Sequence, residues 1–165
     1  MCGARRARTP SVPNRRQQVA LNADEQREYL ETSHTIILNT NDRRGYPHAV
    51  AMWFVVDPDG TILMTTFGKS QKVKNVERDP KCSLLVESEK SYDKLKGLLI
   101  RGTCEVLRSP ETVLETLLKI NQKYQQAPEE LVRPVFEKQA QKRVLLRIRP
   151  EHASSWDHAK LGGAY

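Results

Sequence analysis

The chain has 165 residues, a formal net charge of +7 and 38% hydrophobic residues, and this length is sufficient for one domain with a hydrophobic core. Residues 1–22 contain five arginines and no acidic residue, whereas residues 23–165 carry 22 basic and 20 acidic side chains. The domain is therefore nearly neutral and has no platform of interleaved aromatic and basic residues, which argues against nucleic-acid binding.

The basic segment at residues 1–22 also contains Pro10 and Pro13 and lacks apolar periodicity. Such a composition predicts a disordered tail, either solvated or in contact with an anionic partner. The folded domain is then expected over residues 23–165.

The cysteine content and the hydropathy of the chain predict the cellular compartment of the protein. No apolar run has the length of a membrane span, and the first arginines are not followed by the apolar segment of a secretory signal. Cys2, Cys82 and Cys104 are odd in number and widely spaced, so they indicate neither a disulfide framework nor a zinc site. We expect a protein of the reducing cytoplasm, without a membrane partner and without a metal.

The first half of the chain reads as a helix followed by three short strands. Asn22 is a suitable N-cap for the helix. A strong turn joins the second strand to the third, so these two strands are expected to form a hairpin. The predicted elements are a helix over 23–31, strands over 34–39, 47–56 and 61–66, and turns over 41–45 and 57–60.

The segment after the third strand is the most informative stretch. Gly68 interrupts the strand pattern, and the hydroxyl of Ser70 is expected to cap a helix that ends before Pro80. Lys69 and Lys72 flank the start of this helix. A helix N-terminus with nearby ammonium groups is suited to bind phosphate, but the same residues also fit a capped surface helix with solvated lysines.

The second half adds three strands and two helices. Gly102 lies inside a long strand and predicts a bulge. Ser109 and Pro110 are typical of a helix start. The predicted elements are strands over 81–87, 96–107 and 141–149, and helices from 109 and over 128–139. Six sequential strands with short connections do not fit a βαβ fold, and the second strand, apolar on both faces, favours a small closed barrel.

Three segments together carry a family resemblance: residues 45–54, residues 65–75 and the C-terminal residues 155–165. In this order and spacing they resemble the pyridoxamine 5′-phosphate oxidase-like flavin-binding split-barrel superfamily. More narrowly, they are similar to its branch of small proteins that use FMN or the deazaflavin coenzyme F-420. The resemblance covers residues 23–165, and the closing run at 156–165 is its most specific part.

This resemblance implies a mainly β fold, a six-stranded antiparallel split β-barrel with a few flanking helices. It also implies a homodimer with cofactor sites at the interface, and coenzyme F-420 or FMN as the cofactor. The residues that it maps onto the cofactor are His48, Ala49, Val50, Ala51 and Trp53 on the second strand, Thr65 and Thr66 at the end of the third, Ser70, Gln71 and Lys72 at the phosphate, and Trp156, which would reach the partner's site.

The chain departs from the family pattern at two of these positions. Ala51 stands where many members have proline, and Gln71 stands where many oxidases have arginine. The second change removes a positive charge from the phosphate site and leaves Lys72 and Lys69 to provide it. Two residues also have interpretations that involve no cofactor. His48 fits a surface histidine, and Trp53 fits a core or dimer-interface residue.

The function that follows is hydride transfer between coenzyme F-420 or FMN and a small organic acceptor. No catalytic side chain is assigned, because such a cofactor performs hydride transfer itself. One alternative is a pyridoxamine phosphate oxidase proper, which residues 156–165 disfavour because they contain no arginine. Another is a non-catalytic FMN- or heme-binding or storage protein of the same fold. A third, binding of nucleic acid through the arginine tail, is disfavoured by the neutral domain.

Overall fold

The computed structural model describes residues 14–88 and 91–162. Within them a curled antiparallel sheet of seven strands is flanked by helices, so the predicted fold class is confirmed, with seven strands instead of six. The strands are β1 Ile36–Asn41, β2 Pro47–Met52, β3 Val55–Val56, β4 Ile62–Phe67, β5 Lys81–Ser88, β6 Lys96–Leu107 and β7 Arg143–Asp157. The helices are α1 Arg15–Val19, α2 Ala23–Thr32, α3 Gln71–Arg78, α4 Pro110–Tyr124 and α5 Glu129–Ala140, with 3₁₀ turns at Tyr92–Lys94 and His158–Leu161.

The extra strand arises because the predicted second strand is interrupted. The chain leaves the sheet at Trp53 and Phe54, so that β2 pairs with β1 whereas β3 pairs with β4. The prediction of one continuous strand over 47–56 was wrong, and only its last two residues form the predicted hairpin. Because β2 and β3 lie at opposite ends of the order β2-β1-β5-β6-β7-β4-β3, the sheet must curl until its two ends approach each other.

The core has two parts, one on each face of the sheet. One group of buried apolar side chains fills the inside of the curl and includes Leu38, Met64 and Leu146. The other lies between the sheet and α4 and includes Leu63 and Leu117. Strand β4 therefore buries both of its faces, as a strand inside a covered barrel should.

Helix α4 starts and packs as the sequence predicts. The Ser109 hydroxyl accepts a hydrogen bond from the Thr112 backbone N–H at 3.3 Å, and Pro110 occupies the first turn. The α2 start is likewise confirmed, because Asn22 and Glu25 form a reciprocal capping box. The starting residues of α2 and α4 are thus determined by capping hydrogen bonds between residues of the same turn.

The N-terminal segment corrects the predicted tail in part. From Asn14 onward it forms the short helix α1, and Val19 and Leu21 are buried. The Leu21 backbone N–H donates to the Ser155 hydroxyl at 2.9 Å, which ties the segment to β7. Disorder was therefore wrongly predicted for residues 14–22, whereas residues 1–13 lie outside the described residues. The domain bounds remain a prediction.

Strands β6 and β7 form the longest ladder of the sheet. The predicted bulge is confirmed by a register shift between Arg101 and Gly102. A Cβ atom on Gly102 would lie 2.1 Å from the Arg149 carbonyl oxygen, so only glycine allows this approach. Strand β7 continues to Asp157, beyond the predicted end at 149, because it follows β6 past the bulge.

Across residues 14–88 and 91–162 no helix has both the length and the apolar character needed to cross a membrane.

Candidate functional site

A polar cradle lies where β4 ends and α3 begins. Thr66 is 6% exposed, and its hydroxyl accepts a hydrogen bond from the Lys72 ammonium at 3.0 Å. The Ser70 hydroxyl lies 3.5 Å from the same Thr66 oxygen. The intervening residues 67–70 turn the chain sharply, so that the first turn of α3 lies beside the end of the strand. The structure thus brings together three of the predicted cofactor residues: Ser70 and Lys72 of the predicted phosphate site, and Thr66 of the strand end.

Ser70 occupies the N-cap position of α3, but its side chain makes no capping hydrogen bond. The prediction that its hydroxyl caps the helix was therefore wrong, because the hydroxyl turns toward Thr66 instead. The first turn of α3 contains no acidic residue. The Val73 N–H donates to the Ser70 carbonyl at 3.1 Å, whereas the N–H groups of Gln71 and Lys72 make no backbone hydrogen bond within the described residues. These two groups and the positive end of the helix dipole are available to an anion.

Gln71, which stands where many oxidases have arginine, holds α3 in place through hydrogen bonds. Its side-chain amide donates to Asn75 Oδ1 at 2.8 Å, and Asn75 Nδ2 donates to the Thr40 hydroxyl at 3.0 Å. Asn75 and Thr40 are buried. This chain of hydrogen bonds fastens α3 to β1 and thereby holds the cradle in position.

Sequence reasoning missed Arg143, the first residue of β7. It pairs with Phe67 across the β4–β7 ladder, and its guanidinium carbon lies 4.7 Å from the centre of the Phe67 ring. Its Nη1 donates to the Thr65 hydroxyl at 3.5 Å. Its Nε atom is buried and has no hydrogen-bond partner in the described structure. Arg143 therefore supplies, from a distant part of the sequence, a positive charge of the kind that Gln71 lacks.

Lys72 and Arg143 form a pair of like charges. Burial, together with the charge of Arg143, lowers the pKa of Lys72, and burial also lowers the pKa of Arg143. In the described part of the chain no carboxylate is ion-paired with either residue. Two partly buried cations without a counter-charge are costly unless an anion binds between them.

Two cavities meet at Arg143. The larger, of about 690 Å³, is a groove that continues from the loop after β4 and includes the basic residues Lys69, Arg108 and Lys142. Of these, Arg108 is ion-paired with Glu77. The smaller, of about 220 Å³, lies between the sheet and helices α4 and α5, and it contains Trp53 and Thr65. We call the first the basic groove and the second the helix-side cavity.

The predicted residues of β2 lie on an end strand of the sheet. Ala49 and Ala51 are exposed, whereas Val50 packs against the core inside the curl. His48 is half-buried, and its Nδ1 atom is buried without a hydrogen-bond partner in the described structure. The assignment of these four residues to the cofactor stays a prediction.

Trp53 lies at the break between β2 and β3. It is 47% exposed and stacks on the Tyr124 ring with a centroid distance of 4.6 Å and an interplanar angle of 5°. This exposure contradicts the core reading, whereas the dimer-interface reading stays a prediction. Within the chain, Trp53 lies at the mouth of the helix-side cavity. Trp53 and Thr65 are thus brought to one cavity, although twelve residues separate them in the sequence.

Tyr124 holds this break in place. Its hydroxyl accepts a hydrogen bond from the Phe54 backbone N–H and donates to the Phe54 carbonyl, both at 3.0 Å. Its ring also stacks on His34. Neighbouring Lys123 lies 3.9 Å from the centre of the Phe54 ring, and burial lowers its pKa to about 8.

Trp156 lies far from the cradle of its own chain. It sits near the opposite end of β7 from Arg143, thirteen residues and roughly 40 Å along an extended strand. Its half-buried ring covers Gly97, the residue with which it pairs on β6. The expectation that Trp156 reaches the partner's site stays a prediction.

We expect the Gly97→Ala substitution to expel the Trp156 ring from its place on β6. A Cβ atom at position 97 would lie 2.2 Å from a ring carbon of Trp156, which no rotation of a methyl group relieves. Such crowding typically destabilises by about 1–3 kcal/mol. Tryptophan fluorescence and thermal unfolding would measure the displacement and the loss of stability.

The control is the same substitution in a Trp156→Ala background. There the new methyl group has room, so the loss should shrink or change sign, since alanine is better than glycine inside a strand. Equal losses in both backgrounds would show that the ring does not cause the effect.

Solved structures similar to this chain share its curled sheet. A conserved hypothetical protein from Mycobacterium tuberculosis is 33% identical, with a TM-score of 0.84, over 92% of this chain and 94% of that chain. An F-420 reductase is 26% identical, with a TM-score of 0.62, over 77% and 94% of the two chains. The heme storage protein HutZ from Vibrio cholerae, at 18% identity and a TM-score of 0.63 over 82% and 93%, shows the fold alone.

No curated protein matches the sequence significantly. A family model does match it. The model described as pyridoxamine 5′-phosphate oxidase aligns with residues 23–157, which include the cradle, the helix-side cavity and all seven strands. The chain therefore belongs to the pyridoxamine 5′-phosphate oxidase family.

Proposed function

We propose that this protein is an oxidoreductase that transfers hydride between coenzyme F-420 or FMN and a small organic acceptor. The observation that carries this proposal is the cradle, in which Lys72 and Arg143 lie beside the open N-terminus of α3 without a carboxylate partner among the described residues. Family membership and the 26% identity to an F-420 reductase support it.

The residues present fit the phosphate of such a cofactor. Among the described residues, the Arg143 guanidinium is hydrogen-bonded to the Thr65 hydroxyl and the Lys72 ammonium to the Thr66 hydroxyl, and neither cation is ion-paired there. Ser70 has a side chain not used for capping. Charged donors and helix N-termini are the groups that bind phosphate oxygens most strongly. Lys72, Arg143 and the first turn of α3 would therefore hold the phosphate.

The bound cofactor supplies the hydride transfer itself. What the protein supplies is binding and orientation. Thr65 and Trp53 lie on the side of the cradle that faces the helix-side cavity, so they would position the ring system relative to the phosphate. The same arrangement explains why no catalytic side chain needs to be assigned.

The basic groove favours the deazaflavin over FMN. FMN ends at its phosphate, whereas coenzyme F-420 continues beyond it into a long acidic tail. The groove leads away from the cradle and carries Lys69 and Lys142, which make no ion pair within the described residues, beside Arg143. Charge complementarity of this kind suits a chain of carboxylates.

We also propose that the protein acts as a homodimer with the cofactor at the interface. The support is the exposed strip of small side chains on β2, at Ala49 and Ala51, which ends the sheet and offers a flat surface. Trp156 lies too far along β7 to serve the cradle of its own chain, which suits a role in the partner's site.

The test is a side-by-side titration of the cofactor-free protein with FMN and with coenzyme F-420, followed by fluorescence at low and at high salt. We expect F-420 to bind more tightly and its advantage to shrink at high salt, because salt screens the contacts of the acidic tail. F-420 from which the tail has been removed is the control and should lose the same advantage. Equal affinities would remove the case for the deazaflavin, and binding of neither would refute the cradle assignment.

A measurement of catalytic turnover distinguishes an enzyme from a protein that only carries the cofactor. Reduced cofactor bound to the protein should be reoxidised by an electron-poor organic acceptor. A cofactor that binds tightly but is not reoxidised by any acceptor would identify a storage or carrier protein of the same fold.

A further inference from the structure

The basic groove contains one cation whose charge the protein itself balances. Its basic residues are Lys69, Arg108, Lys142 and Arg143. Within the described residues Arg108 alone among these four is ion-paired, and its partner is Glu77. Glu77 does not belong to the residues that line the groove. The groove therefore offers a ligand three cations without a counter-charge and a fourth that is held by a carboxylate from outside.

Arg108 lies between the groove and Glu77. It follows the last residue of β6, whereas Glu77 belongs to the last turn of α3. A Cβ atom built on Gly68 would lie 3.4 Å from Arg108 Nη1, so the guanidinium lies close to the backbone of the turn between β4 and α3. The cradle is formed by the two elements that this turn joins. An anionic chain that extends from the cradle along the groove would therefore meet the Arg108 guanidinium.

The ion pair is accessible to water. The side chains of Arg108 and Glu77 are 56% and 45% exposed. Ion pairs at such exposure contribute little to stability, because water solvates the separated charges nearly as well. A carboxylate of a ligand makes the same charge-assisted hydrogen bonds to a guanidinium as a glutamate does. Exchange of the Glu77 carboxylate for one from a ligand therefore costs little.

We propose that Glu77 is a specificity-determining residue of the basic groove, and that a carboxylate of the bound ligand displaces it from Arg108. A small free anion must compete with Glu77, which is tethered to the same protein and so is present at a high effective concentration. A chain of carboxylates that is already held at Lys69, Lys142 or Arg143 is tethered in the same way and competes on equal terms. Glu77 thus favours polycarboxylates over single small anions. The inference rests on the proposed function for the identity of the natural ligand, whose acidic tail is such a chain.

The test uses glutarate and γ-linked triglutamate as probes on the cofactor-free, full-length protein, with binding measured by calorimetry. Triglutamate should bind the unmodified protein more tightly than glutarate does. We expect Glu77→Gln to bind glutarate about fivefold more tightly, the change in an equilibrium constant that one exposed ion pair supports. Triglutamate should gain less, because its other carboxylates bind without Arg108, so its preference over glutarate should fall in the variant.

A double-mutant cycle shows whether Glu77 acts through Arg108. In an Arg108→Met background the Glu77→Gln substitution should change either affinity by less than about twofold, because no guanidinium is left to release. Glu28→Gln is the matched control, since it removes an exposed carboxylate from another helix, α2. The inference would be overturned by a gain that persists without Arg108, by an equal gain at Glu28, or by absence of probe binding to Glu77→Gln.

Coenzyme F-420 separates this inference from the proposed function. The expected probe results without any binding of F-420 would keep the role of Glu77 and refute the proposed function. Binding of F-420 with identical probe affinities in the unmodified protein and in Glu77→Gln would do the reverse. Both Glu77 and Arg108 are exposed, so their variants are expected to fold as the unmodified protein does.

Discussion

Replacement of both Lys72 and Arg143 by methionine is expected to weaken cofactor binding by roughly two to four orders of magnitude. A hydrogen bond to a charged group contributes about 1.5–3 kcal/mol, and each 1.4 kcal/mol corresponds to about a tenfold change in affinity. The two side chains are the partly buried cations of the cradle, and neither is ion-paired within the described residues. Fluorescence titration of the cofactor would measure the loss.

The single substitutions should not add up to the double one. Because the charge of Arg143 lowers the pKa of Lys72, removal of one cation makes the remaining one easier to keep charged. Lys74→Met is the matched control, since it makes the same chemical change at an exposed position of the same helix. If Lys74→Met weakened binding as much as Lys72→Met, the effect would be one of overall charge and not of the cradle.

The Tyr124→Phe substitution should lower the free energy of unfolding by about 2–4 kcal/mol although it removes a single oxygen. That oxygen bonds both the N–H and the carbonyl of Phe54, which is 0% exposed. Each buried polar group left unpaired costs about 1–3 kcal/mol. The stacking with Trp53 and His34 is kept by phenylalanine, so the loss isolates the two hydrogen bonds. Chemical denaturation would measure it.

Tyr46→Phe provides the comparison. Tyr46 is 67% exposed, and surface substitutions of this kind usually change stability by less than about 0.5 kcal/mol. A loss at Tyr124 no larger than at Tyr46 would mean that Phe54 finds other partners and that Tyr124 does not hold the break between β2 and β3.

Signals that are local in the sequence predicted most of the fold. Asn22 and Ser109 mark the starts of α2 and α4 because capping needs only residues within one turn. Gly102 marks the bulge because a close backbone approach excludes any side chain. The break at Trp53 and Phe54 could not be predicted in this way, since the apolar pattern continues through it. It depends on Tyr124, seventy residues away, which replaces the lost strand pairing.

The same distinction applies to the site. Thr66, Ser70 and Lys72 were predicted together because they lie within seven residues of one another. Arg143 falls within the predicted strand over 141–149, far along the chain from these residues, and only the β4–β7 register places it beside Thr65. The cap predicted for Ser70 failed because a tertiary neighbour, Thr66, competes for its hydroxyl.

The position of β7 has a consequence for the order in which the chain can fold. It lies between β6 and β4 in the sheet, and its partners on β4 precede it by about eighty residues. Until residues 143–157 are available, β2-β1-β5-β6 and the β3–β4 hairpin can form only as separate pieces. The loop-closure entropy of joining them is therefore concentrated in one late event. The cradle needs that event as well, because Arg143 is the first residue of the joining strand, so cofactor-binding competence should arise only when the sheet is complete.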